Sequence, residues 1–94
     1  MAYRVIWTSS AEADLNAIAA YISTDSPGYA RSVVKKIISI TRTLSRFPNS
    51  GRQVPEFQDP KIRELLAYSY RIMYMIVEEK VFIVTVIHGK RNLT

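Results

Sequence analysis

Between Tyr3 and Thr8 the side chains alternate, with Tyr3, Val5 and Trp7 on one side and Arg4, Ile6 and Thr8 on the other, which is the period of a β-strand. The period then changes. Ala11, Leu15, Ile18, Ala19 and Ile22 recur every three or four positions, predicting an amphipathic helix from about Ser10 to Ser23 that packs on one face. Ser9 with Glu12 three residues later reads as a capping box at its start. Ser26-Pro27 restarts a helix, serine as N-cap and proline at the first helical position, where its missing N–H costs nothing. Ala30, Val33, Val34, Ile37, Ile38, Thr41 and Leu44 form its apolar stripe, and Phe47-Pro48-Asn49-Ser50-Gly51 ends it. A helix of about twenty residues is about 30 Å long. The short connection around Asp25 makes the two helices antiparallel neighbours. After a loop with Pro55 and Pro60, three strand-like runs follow: Lys61 to Ala67, Tyr70 to Val77 and Lys80 to His88. The order β-α-α-β-β-β predicts an α+β fold, a helical hairpin on one face of a mainly antiparallel sheet, with residues 1–94 forming one domain.

The last two runs are nearly all apolar, yet they contain Arg71 and end in His88. A two-residue turn at Glu78-Glu79 places Val77 opposite Lys80. Continued without interruption, that ladder sets Arg71 opposite Val86 and diagonal to His88, so Arg71, Met73, Met75, Phe82, Val84, Val86 and His88 are expected on one face. Tyr70, Ile72, Tyr74, Ile76, Val81, Ile83 and Ile87 are expected on the other. A guanidinium on such a sheet needs an anion or an edge, because an unpaired buried charge is very costly. The residues leave two readings open, an internal ion pair with Glu64 or Glu56 and a site for an external anion.

Composition narrows the setting. The chain has 94 residues, 48% hydrophobic and 11% aromatic, ordinary for a chain that folds around its own core. It has no cysteine, which excludes disulfides and thiolate metal sites and fits a reducing compartment. No apolar run is long enough to span a membrane, and the N-terminus reads as a strand rather than a signal peptide. The net charge of +5 is concentrated: between Ser26 and Pro55 lie Arg31, Lys35, Lys36, Arg42, Arg46 and Arg52 and no acid. Such a field favours a nucleic acid or an acidic protein segment, the other reading being a solvated helix face. Trp7, Tyr68, Tyr70 and Tyr74 read as sheet packing rather than as a stacking platform for bases.

Several short patterns occur in a telling order: Ala13-Asp14-Leu15 with Ile18 and Tyr21-Ile22; Leu44, Pro48 and Gly51-Arg52; Ile62 to Leu65; Tyr70 to Tyr74; and Val81 to Arg91 with His88-Gly89. Together they resemble the RelE/ParE superfamily of toxins from bacterial type II toxin–antitoxin modules, more closely the ParE branch. The resemblance implies a growth-inhibiting, plasmid-stabilising type of protein that acts in the cytoplasm without cofactor or metal. It also implies a toxin–antitoxin hetero-oligomer, in which the antitoxin's C-terminal segment fills a groove that Leu15, Ile18, Ile22, Val34 and Ile38 are expected to line. Relatives similar to RelE cut messenger RNA on the ribosome, and those similar to ParE poison DNA gyrase. Arg71 matches the family's strand arginine and Arg91 the basic position after the last strand; in the nuclease branch both hold the scissile phosphate. Lys61 and Arg63 fall near that branch's basic pair, Lys90 adjoins Arg91, and His88 is the one side chain with an ordinary pKa near neutrality. The nuclease relatives carry a tyrosine near the C-terminus, whereas none follows Tyr74 here. Gyrase is therefore the expected target, and a ribosome-dependent endoribonuclease using Arg71, His88 and Arg91 is the alternative.

Overall fold

Residues 2–89 are described by a computed structural model. Strand β1 (Arg4–Trp7) leads into helix α1 (Ser9–Ser23), and α2 (Pro27–Arg42) runs on into a 3₁₀ turn (Thr43–Ser45). Four further strands follow: β2 (Arg52–Gln53), β3 (Ile62–Ala67), β4 (Tyr70–Val77) and β5 (Lys80–His88). Ser26 caps α2 as its sequence predicts, accepting a hydrogen bond from the Tyr29 amide at 3.2 Å. The cap of α1 is Thr8 and not Ser9. Its hydroxyl accepts from the Ala11 amide at 3.1 Å while donating to the Ile83 carbonyl at 2.9 Å, so a contact with β5 selects it over the local capping box. The regular part of α2 is shorter than the expected twenty residues, since the last turn tightens to 3₁₀ ahead of Pro48.

The sheet has the order β1-β5-β4-β3-β2. Its pairs are antiparallel except at one edge, where β1 lies parallel to β5. Both helices cover one face. Leu15, Val33, Ile37 and Leu44 pack there against Ile72, Tyr74, Val81, Ile83 and Val86, with Tyr3, Val5 and Trp7 of the first strand alongside. Among the described residues no helix is long and apolar enough to cross a membrane.

The register of the last hairpin departs from the uninterrupted ladder. Val77 pairs with Lys80 across the two-residue turn, as expected, and the ladder is regular as far as Tyr74 opposite Ile83. There β5 carries one residue more than β4, a β-bulge: Met73 faces Thr85, Ile72 faces Val86, Arg71 faces Ile87 and Tyr70 faces His88. A one-residue slip moves every later side chain to the other face. Arg71 and His88 therefore lie on opposite sides of the sheet, and the expected shared face does not exist. Val86 joins the core under the helices, Ile87 joins the face of Arg71, and the His88 ring meets Tyr70 edge to face at 5.7 Å. The bulge is anchored from α1. Asp14 Oδ2 accepts the Thr85 hydroxyl at 2.8 Å and the Val86 amide at 3.1 Å, satisfying a backbone donor displaced from the ladder.

A second fixed point joins the α2–β2 connection to the sheet. The Tyr74 hydroxyl, fully buried, donates to the Pro48 carbonyl at 2.7 Å and accepts from the Gly51 amide at 3.0 Å. Gly51 has no room for a side chain: a Cβ there would lie 2.6 Å from both the Glu64 carbonyl and the Tyr74 hydroxyl. Burial pushes the Tyr74 phenol above its ordinary value of 10.0, and the Gly51 amide offsets part of the rise.

Asp14→Ala is expected to cost about 1–3 kcal/mol in chemical denaturation, the penalty of an unmatched buried donor, with Asp14→Asn recovering most of the loss. Gly51→Ala should cost on the order of 2 kcal/mol or more by overpacking against backbone. Because the folded protein holds the Tyr74 proton after the unfolded chain has released it, this contribution is complete below pH 10.0 and is lost as pH rises through the folded value. Tyr74→Phe is thus expected to be less stable at neutral pH but to show a shallower alkaline decline.

Candidate functional site

On the face away from the helices, β2, β3 and β4 bring two arginines and an acid into line, and the loop after Val54 adds a second acid. Arg52 stands opposite Glu64, and Glu64 opposite Met73, next but one to Arg71. Glu64 is buried, with a side-chain exposure of 0%, and divides its oxygens: Oε1 accepts from Arg71 Nε at 2.7 Å and Oε2 from Arg52 Nε at 2.6 Å. Glu56 completes the group, its two oxygens receiving Arg71 Nη1 at 2.9 Å and Nη2 at 2.8 Å in a bidentate fork. Both acids anticipated as internal partners of Arg71 are therefore engaged at once. Hydrogen bonds and charge from Glu56 and Glu64 outweigh desolvation and raise the Arg71 pKa further, so the guanidinium stays charged. The two arginines and two carboxylates are formally neutral together, with most of the Arg71 side chain out of solvent at 6% exposure.

The other expected site residues are dispersed. Arg63 projects from the opposite face to Arg71, since it faces Tyr74 across the ladder, and its guanidinium donates to the Pro60 and Gly51 carbonyls at 2.9 Å each. Lys61 is exposed at the start of β3. His88 is exposed on the helix side, beside Tyr70. Lys90 and Arg91 lie outside the described residues. Among the described residues no group of three or more acids and histidines is placed to hold a metal ion.

The five expected groove residues do not share one groove. Leu15 is mainly a core residue, but its edge lines a cleft of about 420 Å³ together with Val34, Ile38 and Trp7. Ile18 borders a cleft shared with Tyr21, Tyr70 and His88. Ile22 is half-buried against the core. Val34 and Ile38 do meet, on the floor of an open groove of about 890 Å³ between the helices, where Ala19, Ala20 and Ser23 of α1 keep the opposing wall low. Arg31 and Lys35 stand on its rim, and Lys36 and Arg42 continue the basic surface along α2. The four cations are exposed, and the ion pairs seen among the described residues, those of Arg52 and Arg71 with Glu64 and Glu56, lie on the far face of the sheet. Arg31 and Lys35, four residues apart and flanking Ala30, Val34 and Ile38, are a rim that the helical period alone contains.

Comparison with known proteins agrees with this architecture. A family model described as ParE toxin of the type II toxin–antitoxin system parDE matches residues 5–93. The chain is 33% identical to Toxin RelE2 of Caulobacter vibrioides over 89 residues, 94% of this chain and 97% of that protein. Among solved structures, it superposes on the chromosomal ParDE system of P. aeruginosa with a TM-score of 0.76 at 23% identity, covering 94% of this chain and 97% of the other. The toxin–antitoxin complex RelBE2 of Mycobacterium tuberculosis gives a TM-score of 0.66 at 22% identity over 94% and 99% of the two chains. A mutant of the E. coli toxin RelE in the free state gives 0.68 at 16% identity, with 96% and 86% covered. With the family model spanning nearly its whole length and the fold shared by both branches, this chain belongs to the ParE toxin family of type II toxin–antitoxin systems.

Proposed function

We propose that this toxin works by binding, with DNA gyrase as its cytoplasmic target, and that a cognate antitoxin neutralises it. The observation that carries this reading is the separation of Arg71 from His88. General acid–base cleavage of RNA needs a proton-transferring group and a phosphate-binding cation within reach of one scissile bond. Here the sheet stands between the imidazole and the guanidinium, and the guanidinium is neutralised by Glu56 and Glu64. The family model also names the ParE branch. For the antitoxin, the hairpin groove has the features of a helix-in-groove site: Val34 and Ile38 form an apolar floor, and Arg31 and Lys35 supply exposed positive charge for an acidic amphipathic segment.

Expression in a sensitive bacterium is expected to trap double-strand DNA breaks and induce the SOS response. Prompt translational arrest with codon-phased cuts in messenger RNA would instead establish the ribonuclease alternative. Exchanging both rim cations, Arg31→Glu with Lys35→Glu, is expected to leave stability within about 0.5 kcal/mol, since both are exposed. The same exchange should weaken the antitoxin complex by about tenfold or more and flatten its salt dependence. An unchanged dissociation constant would remove the groove from the antitoxin interface.

A further inference from the structure

The two acids on Arg71 are held very differently. Glu64 is in β3, between ladders to β2 and β4, and its side chain is 0% exposed. It grips Nε and fixes the plane of the guanidinium. Glu56 sits on the excursion of residues 55–61, takes the outer Nη edge, and is 19% exposed. That excursion is stitched by short turns of its own, Phe57 to Val54 at 3.0 Å and Asp59 to Phe57 at 2.7 Å, while the sheet closes beneath it through the Val54 amide to the Ile62 carbonyl. Its far end is tied to the sheet, the Lys61 carbonyl accepting from the Ile76 amide at 2.9 Å and the Pro60 carbonyl from Arg63 at 2.9 Å, so an outward movement of Glu56 confined to residues 55–58 breaks no rung between strands. An arginine oriented from behind by a buried carboxylate, with its forked edge held by an acid from a loop, has the architecture of an oxyanion site.

We propose that Glu56 is the internal occupant of such a site, and that a carboxylate side chain from a partner polypeptide takes its place on Arg71 as residues 55–58 swing aside. Two features favour a carboxylate on a protein over a nucleic-acid phosphate. One carboxylate replaces the Glu56 carboxylate charge for charge on the Arg71 fork, whereas a polyanion would bring further negative charge beside the buried Glu64. The surface beside the fork is apolar: Phe57, next in sequence to Glu56, and Met73, next but one to Arg71, form a recess with Ile62, Met75 and Val84. An acidic residue followed by apolar ones fits that neighbourhood. The exchange does not rest on gyrase being the target, and it is tested on the purified chain alone.

The probes are propionate and inorganic phosphate, titrated separately into isotopically labelled protein while the Arg71 guanidinium resonances are followed by NMR. Removing an intramolecular competitor raises the apparent affinity of an external one, so Glu56→Gln should bind propionate about tenfold or more tightly than the parent. Adding Arg71→Lys, which lacks the fork, should abolish the response. Equal propionate affinity in parent and Glu56→Gln would overturn the proposal, and tighter binding of phosphate than of propionate would overturn the choice of a protein partner in favour of nucleic acid. If Glu56→Gln does not fold, the parent decides. At high propionate the amides of Phe57 and Gln58 should move together with the Arg71 guanidinium while those of Glu64 and Met73 stay fixed, and a loop that does not respond refutes the exchange.

Discussion

The Asp14 carboxylate receives the Thr85 hydroxyl and the Val86 amide at the point where β5 carries one residue more than β4, and the arrangement of the sheet depends on that contact. A bulge leaves a backbone donor without its ladder partner, and a half-buried donor must find another acceptor. Helix α1 supplies it from the residue before Leu15, whose own side chain is in the core. Packing of the helix and the irregularity of the strand thus support each other. The outcome reaches well past the bulge: beyond it, every side chain of β5 is on the face opposite to that set by the turn alone. Val86 enters the core, and the histidine leaves the side of the arginine.

The ion-pair group on the other face is set by the regular ladders of β2, β3 and β4, which the bulge in β5 leaves untouched. A guanidinium at 6% exposure has to be matched within the fold, and Glu64 is the one acid that β3 can place beside it. Breaking a buried pair of this kind by removing one partner typically costs about 3–5 kcal/mol, a large fraction of the stability of a domain this small. The sequence patterns that resemble the toxin superfamily acquire physical reasons here. Leu44 is in the core; the Pro48 carbonyl and Gly51 amide bind the Tyr74 hydroxyl; Arg52 and Arg71 share Glu64. The patterns describe one connected set of contacts that fastens the α2–β2 connection to the sheet.

What could be read in advance was whatever a residue settles locally. Ser26-Pro27 fixes the start of α2, the continuous runs of β-branched and aromatic residues fix the spans of β4 and β5, and Glu78-Glu79 fixes the turn between them, even though Glu78 adopts a φ of 55° that glycine or asparagine would accept more easily. Features that depend on distant atoms were not legible. Thr8 displaces Ser9 as the cap because Ile83 accepts its hydroxyl, and β1 chooses a parallel place beside β5. The two-residue β2 has no periodicity to read. The bulge was the costly omission, because a parity argument is correct only while neither strand gains a residue, and Val84 and Thr85 look like any other strand positions. Asp14 stood in a recognisable pattern, but nothing local shows that its carboxylate reaches across to β5.

The distribution of charge ties these structural facts to recognition. The chain has a net charge of +5, Arg52 and Arg71 are paired with Glu64 and Glu56, and α2 alone carries Arg31, Lys35, Lys36 and Arg42 with no acid. The unbalanced field therefore arises from the exposed side of α2, and the sheet lies between that side and the ion-pair group. A charged partner is steered by the first of these surfaces, since long-range attraction acts on unpaired charge. The second surface exerts almost no field at a distance. On the proposed exchange it becomes attractive only at contact, when an incoming carboxylate substitutes for Glu56, and selectivity there depends on shape and apolar fit. The inserted residue of β5 bears on neither surface: it decides that Val86 lies in the core and that His88 lies on the helix side, across the sheet from Arg71.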